Sequence, residues 1–320
     1  MRGVEHAAGR DAGRAASVES GPEPGVVRVY REKIVGEICY ALGLRREGLA
    51  RRLLAPALRG PARRFGRIAA RADLEAERSG ISGAARRILP DLSLAPAARG
   101  TENIPVAGPL LLVSNHPGAY DSVAILSCVP RRDIKVFISD VGFTRAFSAA
   151  RGYFIYVPKA AAGRTAALRE AIGHLQAGGA LLIFPHGDVE PDPELGPGAH
   201  EALGDWSRSI GIMLRRVPET RLQVAIASGI LMPKFLRHPL VRIRKTAPRR
   251  QKLAEVLQMS QQMLFPRSVR TDVHISFAGP VQASALPGGD PMAAVIGMAR
   301  RLLADHLAAF GFARRGPTNS

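Results

Sequence analysis

Apolar and polar positions divide the chain into three stretches of different character. From Val26 to Leu94 apolar residues recur at helical spacing. Val27, Ile34, Ile38 and Leu42 stand among Arg and Glu, followed by Leu49, Leu53, Leu54 and Leu58 among Arg51, Arg52, Arg59, Arg63 and Arg64. This predicts amphipathic helices whose apolar stripe either packs on a neighbouring domain or lies in a lipid interface. The middle third alternates short apolar runs with helical stretches, the pattern of an α/β domain. Strands are predicted at 109–114, 134–139, 153–157, 180–184 and 222–227, and helices at 121–129, 143–150, 164–177 and 206–217. Beyond them a helix is expected at 249–265, an alternating strand at 273–277, and a last helix at 290–310 with Asp290 as its N-cap. The expected fold class is α/β, with a mixed or mostly parallel sheet flanked by helices and an N-terminal amphipathic helical segment. Residues 1–25 read as a disordered tail, 26–98 as the helical segment and 99–312 as the main domain.

The longest apolar runs, such as Leu222 to Met232, are of strand or core length, well short of the roughly 20 residues a spanning helix needs. Arg2 is not followed by the apolar core of a secretory signal. Cys39 and Cys128 both sit in apolar-periodic segments, which supports neither a disulfide framework nor a cysteine metal site and makes reduced cytoplasm the default.

Charge changes the picture more. With 45 Lys+Arg against 27 Asp+Glu the chain carries +18, which points to a polyanionic partner, either nucleic acid or an anionic membrane surface. The first hundred residues hold 19 basic and 11 acidic side chains, the second hundred 8 and 9, and the remainder 18 and 7. The flanks are therefore basic around a near-neutral middle. Aromatic residues are only 5%, and no helix-turn-helix, zinc or RNA-binding signature is present, so nucleic acid is the less favoured partner. Arg237 to Lys245, basic with apolar residues interleaved, either completes a solvated face or lies near a lipid surface.

In an open α/β sheet ligands bind beyond the carboxyl ends of the strands. Two polar, Gly-containing segments fall there, Asn115 to Asp121 and Pro185 to Asp192. The first reads Asn115-His116-Pro117-Gly118-Ala119-Tyr120-Asp121. A carboxylate bonded to one imidazole nitrogen fixes the tautomer and leaves the other free as a general base. The spacing alone decides little, because His6 with Asp11 and His200 with Asp205 share it. Only His116 follows an apolar strand and is separated from its Asp by a Pro-Gly turn able to fold the chain back.

Three blocks in this order resemble the glycerolipid acyltransferases, the group that includes lysophosphatidate acyltransferase. Asn115 to Asp121 is similar to that family's His-x4-Asp signature. Gly152-Tyr153-Phe154-Ile155 is similar to its Gly-x-Phe-Ile block, and Phe184-Pro185-His186-Gly187-Asp188-Val189-Glu190 to its Phe-Pro-Glu-Gly-Thr-Arg-Ser block. The resemblance spans roughly Gly100 to Gly229 and implies that 99–312 is an acyltransferase domain. It implies transfer of a fatty acyl group from acyl-CoA or acyl carrier protein, as co-substrate and without a cofactor or metal, to the hydroxyl or amine of a lipid acceptor in phospholipid or glycerolipid synthesis. His116, oriented by Asp121, would be the general base, with backbone amides near Gly187 facing the oxyanion. No Gly-x-Ser-x-Gly elbow is present, in agreement with direct transfer.

The departures from the family are informative. Where it carries two arginines thought to hold the acceptor's phosphate, this chain has Val157 and Val189. Its Glu has become His186, and its Thr-Arg-Ser has become Asp188-Val189-Glu190. Lys159 and Arg164 are the compensating cations, and Asn115, Pro185, His186, Gly187 and Asp188 complete the expected substrate-binding set. Gained carboxylates and lost guanidinium groups suit a neutral, zwitterionic or amine-bearing acceptor better than a phosphate dianion. The prolines alternating through Pro191 and Pro193 suggest an extended, solvated loop with no metal cage. On this reading the protein is cytoplasmic and peripherally attached to the inner face of the cell membrane through its Arg-rich flanks. The altered blocks also allow a catalytically silent lipid-binding relative.

Overall fold

The computed structural model describes residues 24–41, 48–158, 160–266, 268–287 and 290–312. The strands are β1 (Leu94–Arg99), β2 (Leu110–Ser114), β3 (Lys135–Ser139), β4 (Phe154–Val157), β5 (Ala180–Ile183), β6 (Arg221–Ser228), β7 (Thr271–Phe277) and β8 (Val281–Gln282). They form one eight-stranded sheet in the order β1-β7-β6-β2-β5-β3-β4, with β8 paired to β6. β7 and β8 run antiparallel to β6 and the other pairings are parallel, so the sheet is mixed and mostly parallel. The helices are α1 (Pro24–Ala41), α2 (Leu49–Ile88), α3 (Asp121–Cys128), α4 (Ala161–Gln176), α5 (Ala199–Ala202), α6 (Ser209–Arg216), α7 (Pro233–Leu236), α8 (Pro239–Arg242), α9 (Ala247–Leu264) and α10 (Pro291–Ala309).

Two apolar cores lie on the two faces of the sheet. Leu110 and Leu112 of β2 enter the core beneath α2 and α3, whereas Leu111 and Val113 enter the one beneath α4, α6 and α10. Successive strand side chains point to opposite faces, so a strand buried on both reads as a continuous apolar run. That run is why β2, β5 and β6 stand where their sequences predict. α10 begins as expected, with Asp290 accepting a hydrogen bond from the Met292 amide at 3.0 Å.

α2 is broken at Gly80, where φ is 77° and ψ is 174°. A side chain there would be strained and would also crowd the Arg132 backbone, its Cβ lying 3.2 Å from the Arg132 carbonyl oxygen. The break redirects the chain over the sheet towards β1. The predicted boundary between residues 98 and 99 therefore falls at the end of a strand of the main sheet. β1 escapes the hydrophobic pattern because Leu94-Ala95-Pro96-Ala97-Ala98-Arg99 is short of strand formers, and its proline is tolerated because β1 is an edge strand. The expected tail falls on residues 1–23, outside the described residues, and on the start of α1.

The helix expected at 143–150 is replaced by two short 3-10 turns, Thr144–Ala146 and Ala150–Tyr153. Phe143 and Phe147 have helical spacing, but their rings pack on Tyr30 of α1 at 6.0 and 5.2 Å between centroids. Asp73 of α2 fixes the segment. It accepts hydrogen bonds from the Ser148, Ala149 and Ala150 amides, from the Ser148 hydroxyl and from the Tyr30 hydroxyl, at 2.6 to 3.0 Å. Burial would raise the Asp73 pKa, but these donors outweigh it and hold the carboxyl below its usual value. A carboxyl depressed on folding contributes stability above its unfolded pKa and loses it as pH falls through the folded one. Asp73→Ala should lower unfolding free energy by about 2–4 kcal/mol, because several buried donors lose their acceptor together. Urea unfolding at pH 7 measures this, and the difference between wild type and variant should shrink below about pH 4.

Candidate active site

β2 ends at Ser114, and the next two side chains do different jobs. Asn115, buried, donates from Nδ2 to the Ala227 carbonyl at 2.9 Å and accepts from the Ala227 amide at 2.8 Å. Its amide group thus clamps β2 to β6 at the strand ends and is committed to the backbone. His116 follows, and the Pro117-Gly118 turn returns the chain so that α3 starts at Asp121. Gly118 is required by close approach, since a Cβ would lie 2.7 Å from Ile230 Cγ2.

His116 Nδ1 lies 2.7 Å from Asp121 Oδ2, which also accepts from the Gly118 amide at 3.2 Å. The Asp121 side chain is 0% exposed and that of His116 27%, so the carboxylate is sealed in while one edge of the ring reaches solvent. A carboxylate can only accept, so in the neutral ring Nδ1 carries the proton and Nε2 presents a lone pair. Phe184 packs on the imidazole at 4.7 Å between ring centroids. Burial alone would lower the His116 pKa. Asp121 outweighs it, with help from Glu255 and Glu190, and takes the imidazole up to about 9.

Glu190 is not the solvated carboxylate expected of the Pro-containing loop. It is 1% exposed. Its Oε2 accepts from the His116 amide at 2.7 Å, its Oε1 from the indole of Trp206 at 3.0 Å, and its own amide donates to the His116 carbonyl at 2.7 Å. Burial raises its pKa to about 7 against these donors. Asp192 is buried as well, accepting from the amides of Glu194, Gly229 and Ile230, and burial raises it to about 6. The loop therefore runs inward, because its acids find backbone donors at the strand ends. Glu190 is thus not open to an acceptor's amine.

The other expected residues are spread more widely. Pro185 is buried, and its carbonyl accepts from the Ser207 amide at 3.0 Å. His186 is half-buried, with Nδ1 3.1 Å from the Asp188 carbonyl. The Gly187 amide donates to the Phe184 carbonyl at 3.2 Å, so an oxyanion would have to share it. Asp188 is exposed and pairs with Lys252 of α9 at 3.4 Å. Val157 packs into the α4 side of the sheet, and Arg164 is exposed in the first turn of α4. Lys159 lies outside the described residues. His200, of the competing His-Asp spacing, is exposed on α5.

Sequence reasoning missed α9 as part of the site. Gln251 donates to the Pro117 carbonyl at 3.0 Å and the Glu190 carbonyl at 3.1 Å, tying the two loops together from a position 134 residues beyond the first. Glu255, one turn on, lies against Gly118. An amphipathic helix gives no local sign of which partner its polar face meets, so only the fold could reveal them. Between α2, α3 and residues 143–154 an apolar cavity of about 370 Å³ reaches the same loop, its lining including Phe65, Ala72, Ala119, Tyr120, Phe143 and Phe147. Among the described residues no group of three or more His, Cys, Asp or Glu is placed to hold a metal ion.

Glu190→Gln places an NH2 donor opposite either the Trp206 indole or the His116 amide, two donors facing one another. It should cost about 2–4 kcal/mol in urea unfolding, because a buried donor is left unpaired. The Trp206 near-ultraviolet signal should weaken in the folded variant.

The sequence model of the family described as Acyltransferase matches residues 96–216, which include β2, the His116 loop, β5 and Glu190. No curated protein matches the chain. Among solved structures, the chain is similar to the 1-acyl-sn-glycerophosphate acyltransferase of Thermotoga maritima, at 16% identity over 88% of this chain and 91% of that one, with a TM-score of 0.45. The family match covers the segment that builds the His116–Asp121 site, so residues 96–216 are similar to an acyltransferase domain.

Proposed function

We propose that the protein transfers a fatty acyl group from a thioester donor, acyl-CoA or acyl carrier protein, to the hydroxyl of a lipid acceptor in glycerolipid synthesis. The observation that carries this reading is the sealed Asp121 carboxylate 2.7 Å from His116 Nδ1, at a strand end beside an apolar cavity. Nε2 takes the acceptor's hydroxyl proton as its oxygen attacks the thioester carbonyl carbon. The carbon–sulfur bond breaks from the tetrahedral intermediate, and the thiolate receives the proton from the imidazolium. Asp121 stays ionised and stabilises that imidazolium. The Gly187 amide, shared with the Phe184 carbonyl, is the backbone donor nearest in sequence to meet the oxyanion. The apolar cavity takes the acyl chain, whose burial is favourable in proportion to the area removed from water.

The acceptor lacks a phosphomonoester. Val157 offers packing where the family places a guanidinium, and Asp188 engages the nearby Lys252 in an ion pair. The protein works at an anionic membrane surface. Among the described residues no helix is long and apolar enough to cross a membrane. Leu240 and Ile243 are 54% and 74% exposed beside Arg237, Arg242 and Arg244. This patch leads directly into α9, whose second turn holds the His116 loop, so it would bring the site to the lipid.

Purified protein given labelled acyl-CoA and a panel of lyso-lipids should label acceptors without a phosphomonoester, and His116→Ala should lose the activity by at least a thousandfold. Equal labelling by wild type and variant would sink the catalytic reading, and acceptance of lysophosphatidate alone would sink the acceptor assignment. Ala72→Phe should shift preference to shorter acyl donors while leaving transfer of short chains intact. Replacing Arg237, Arg242 and Arg244 with Gln should weaken binding to anionic vesicles by roughly a hundredfold, at about 1 kcal/mol each. Unchanged binding would place the membrane face elsewhere.

A further inference from the structure

Glu255 of α9 has no part in the pair that faces substrate, yet its position is unusual. It packs on the backbone of the loop itself, its Oε1 lying 3.4 Å from where a Gly118 Cβ would stand. That oxygen is buried without a hydrogen-bond partner, and two neighbouring atoms share the condition, Asp121 Oδ1 and the Tyr120 hydroxyl. Groups of this kind are normally satisfied, so three together beside one loop set this place apart from the rest of the interior. Carboxylates from three elements thus surround the His116 loop: Asp121 of α3 on the imidazole, Glu190 of the loop after β5 on the His116 amide, and Glu255 of α9 against Gly118.

We propose that Glu255 is a positioning residue for the transfer reaction, its carboxylate closing the third side of an anionic seat that keeps the His116 imidazole strongly basic. The charged and titratable groups around it are His116, Asp121, Tyr120 and, on its own helix, Lys252, with Gln251 beside it. His186 in turn faces Glu190. Burial raises the Glu255 pKa to about 7 against the pull of His116, so it carries its charge in the range where the imidazole titrates. Gln251 and Lys252 on the same helix help to keep the carboxylate charged. The catalytic meaning rests on the acyl-transfer reading, whereas the effect on the imidazole does not.

The test is an NMR pH titration of the full chain with labelled histidine, with the His116→Ala spectrum used to identify the His116 signal. In Glu255→Gln, which keeps the shape and removes the charge, the His116 midpoint should fall by about one unit. Glu255→Asp keeps the charge, set back by one methylene, and should give a smaller fall. The rising acid limb of kcat/KM against pH should move to lower pH by the same amount, with KM for the acyl donor unchanged. An unmoved midpoint in folded Glu255→Gln overturns the proposal. If that variant does not fold, Glu255→Ala takes its place, and an unmoved midpoint there does so. A midpoint that moves in a protein without transferase activity would retain the seat and reject the acyl-transfer reading.

Discussion

The site depends on a buried carboxylate bonded to the backbone of His116. Glu190 receives the His116 amide and returns its own amide to the His116 carbonyl, a reciprocal pair with both distances at 2.7 Å. A carboxylate taken from water costs several kcal/mol unless donors replace the water, and here the donors are the amide, the Trp206 indole and nothing bulkier. The loop after β5 therefore cannot move without exposing or orphaning Glu190, and His116 cannot move without Glu190. Gln251 adds a third element to the lock. Asp121 sets the ring, while Glu190 sets the backbone that carries it.

This arrangement follows from the sheet. Because β2 buries alternate side chains on both faces, its end is the first place where polar groups can meet without crossing a core. The two loops that share the site leave β2 and β5, which are direct neighbours in register. On the α2 side the core gives way to the apolar cavity, roofed by Phe143 and Phe147. Asp73 holds this roof by gathering amides that a regular helix would have used itself. Polar chemistry and apolar volume thus meet along one edge of the His116 loop, at Ala119 and Tyr120.

How much of this could be read from the sequence varied with how local the cause was. β2, β5 and β6 were legible because burial on both faces writes an unbroken apolar run. The His116–Asp121 pair was legible because a Pro-Gly turn after such a strand closes the spacing locally. β1 was hidden by its Ala-Pro composition, and the 143–150 segment was misread because two phenylalanines at helical spacing pack on other helices instead of on one face of their own. The role of Glu190 was inverted. Flanking prolines suggested solvent, whereas the deciding partners, Trp206 and the His116 amide, come from other segments of the chain. Gln251 and Glu255 left no local trace at all, since their partners on the loops lie about sixty or more residues away.

The uneven charge of the chain takes on a different meaning once these positions are known. The near-neutral middle is not short of charge. It concentrates acids at the site, where Asp121, Glu190 and Asp192 are buried and Asp188 stands at the rim. Arginine is placed elsewhere, as in the exposed turns before α9. A basic surface beside an acidic centre separates two tasks that would otherwise conflict. Cations close to His116 would lower its basicity, whereas on the proposed reading cations a turn or two away attract an anionic surface. The excess of positive charge therefore does not describe the chemistry of the site. It describes the ground around it, where the arginines lie.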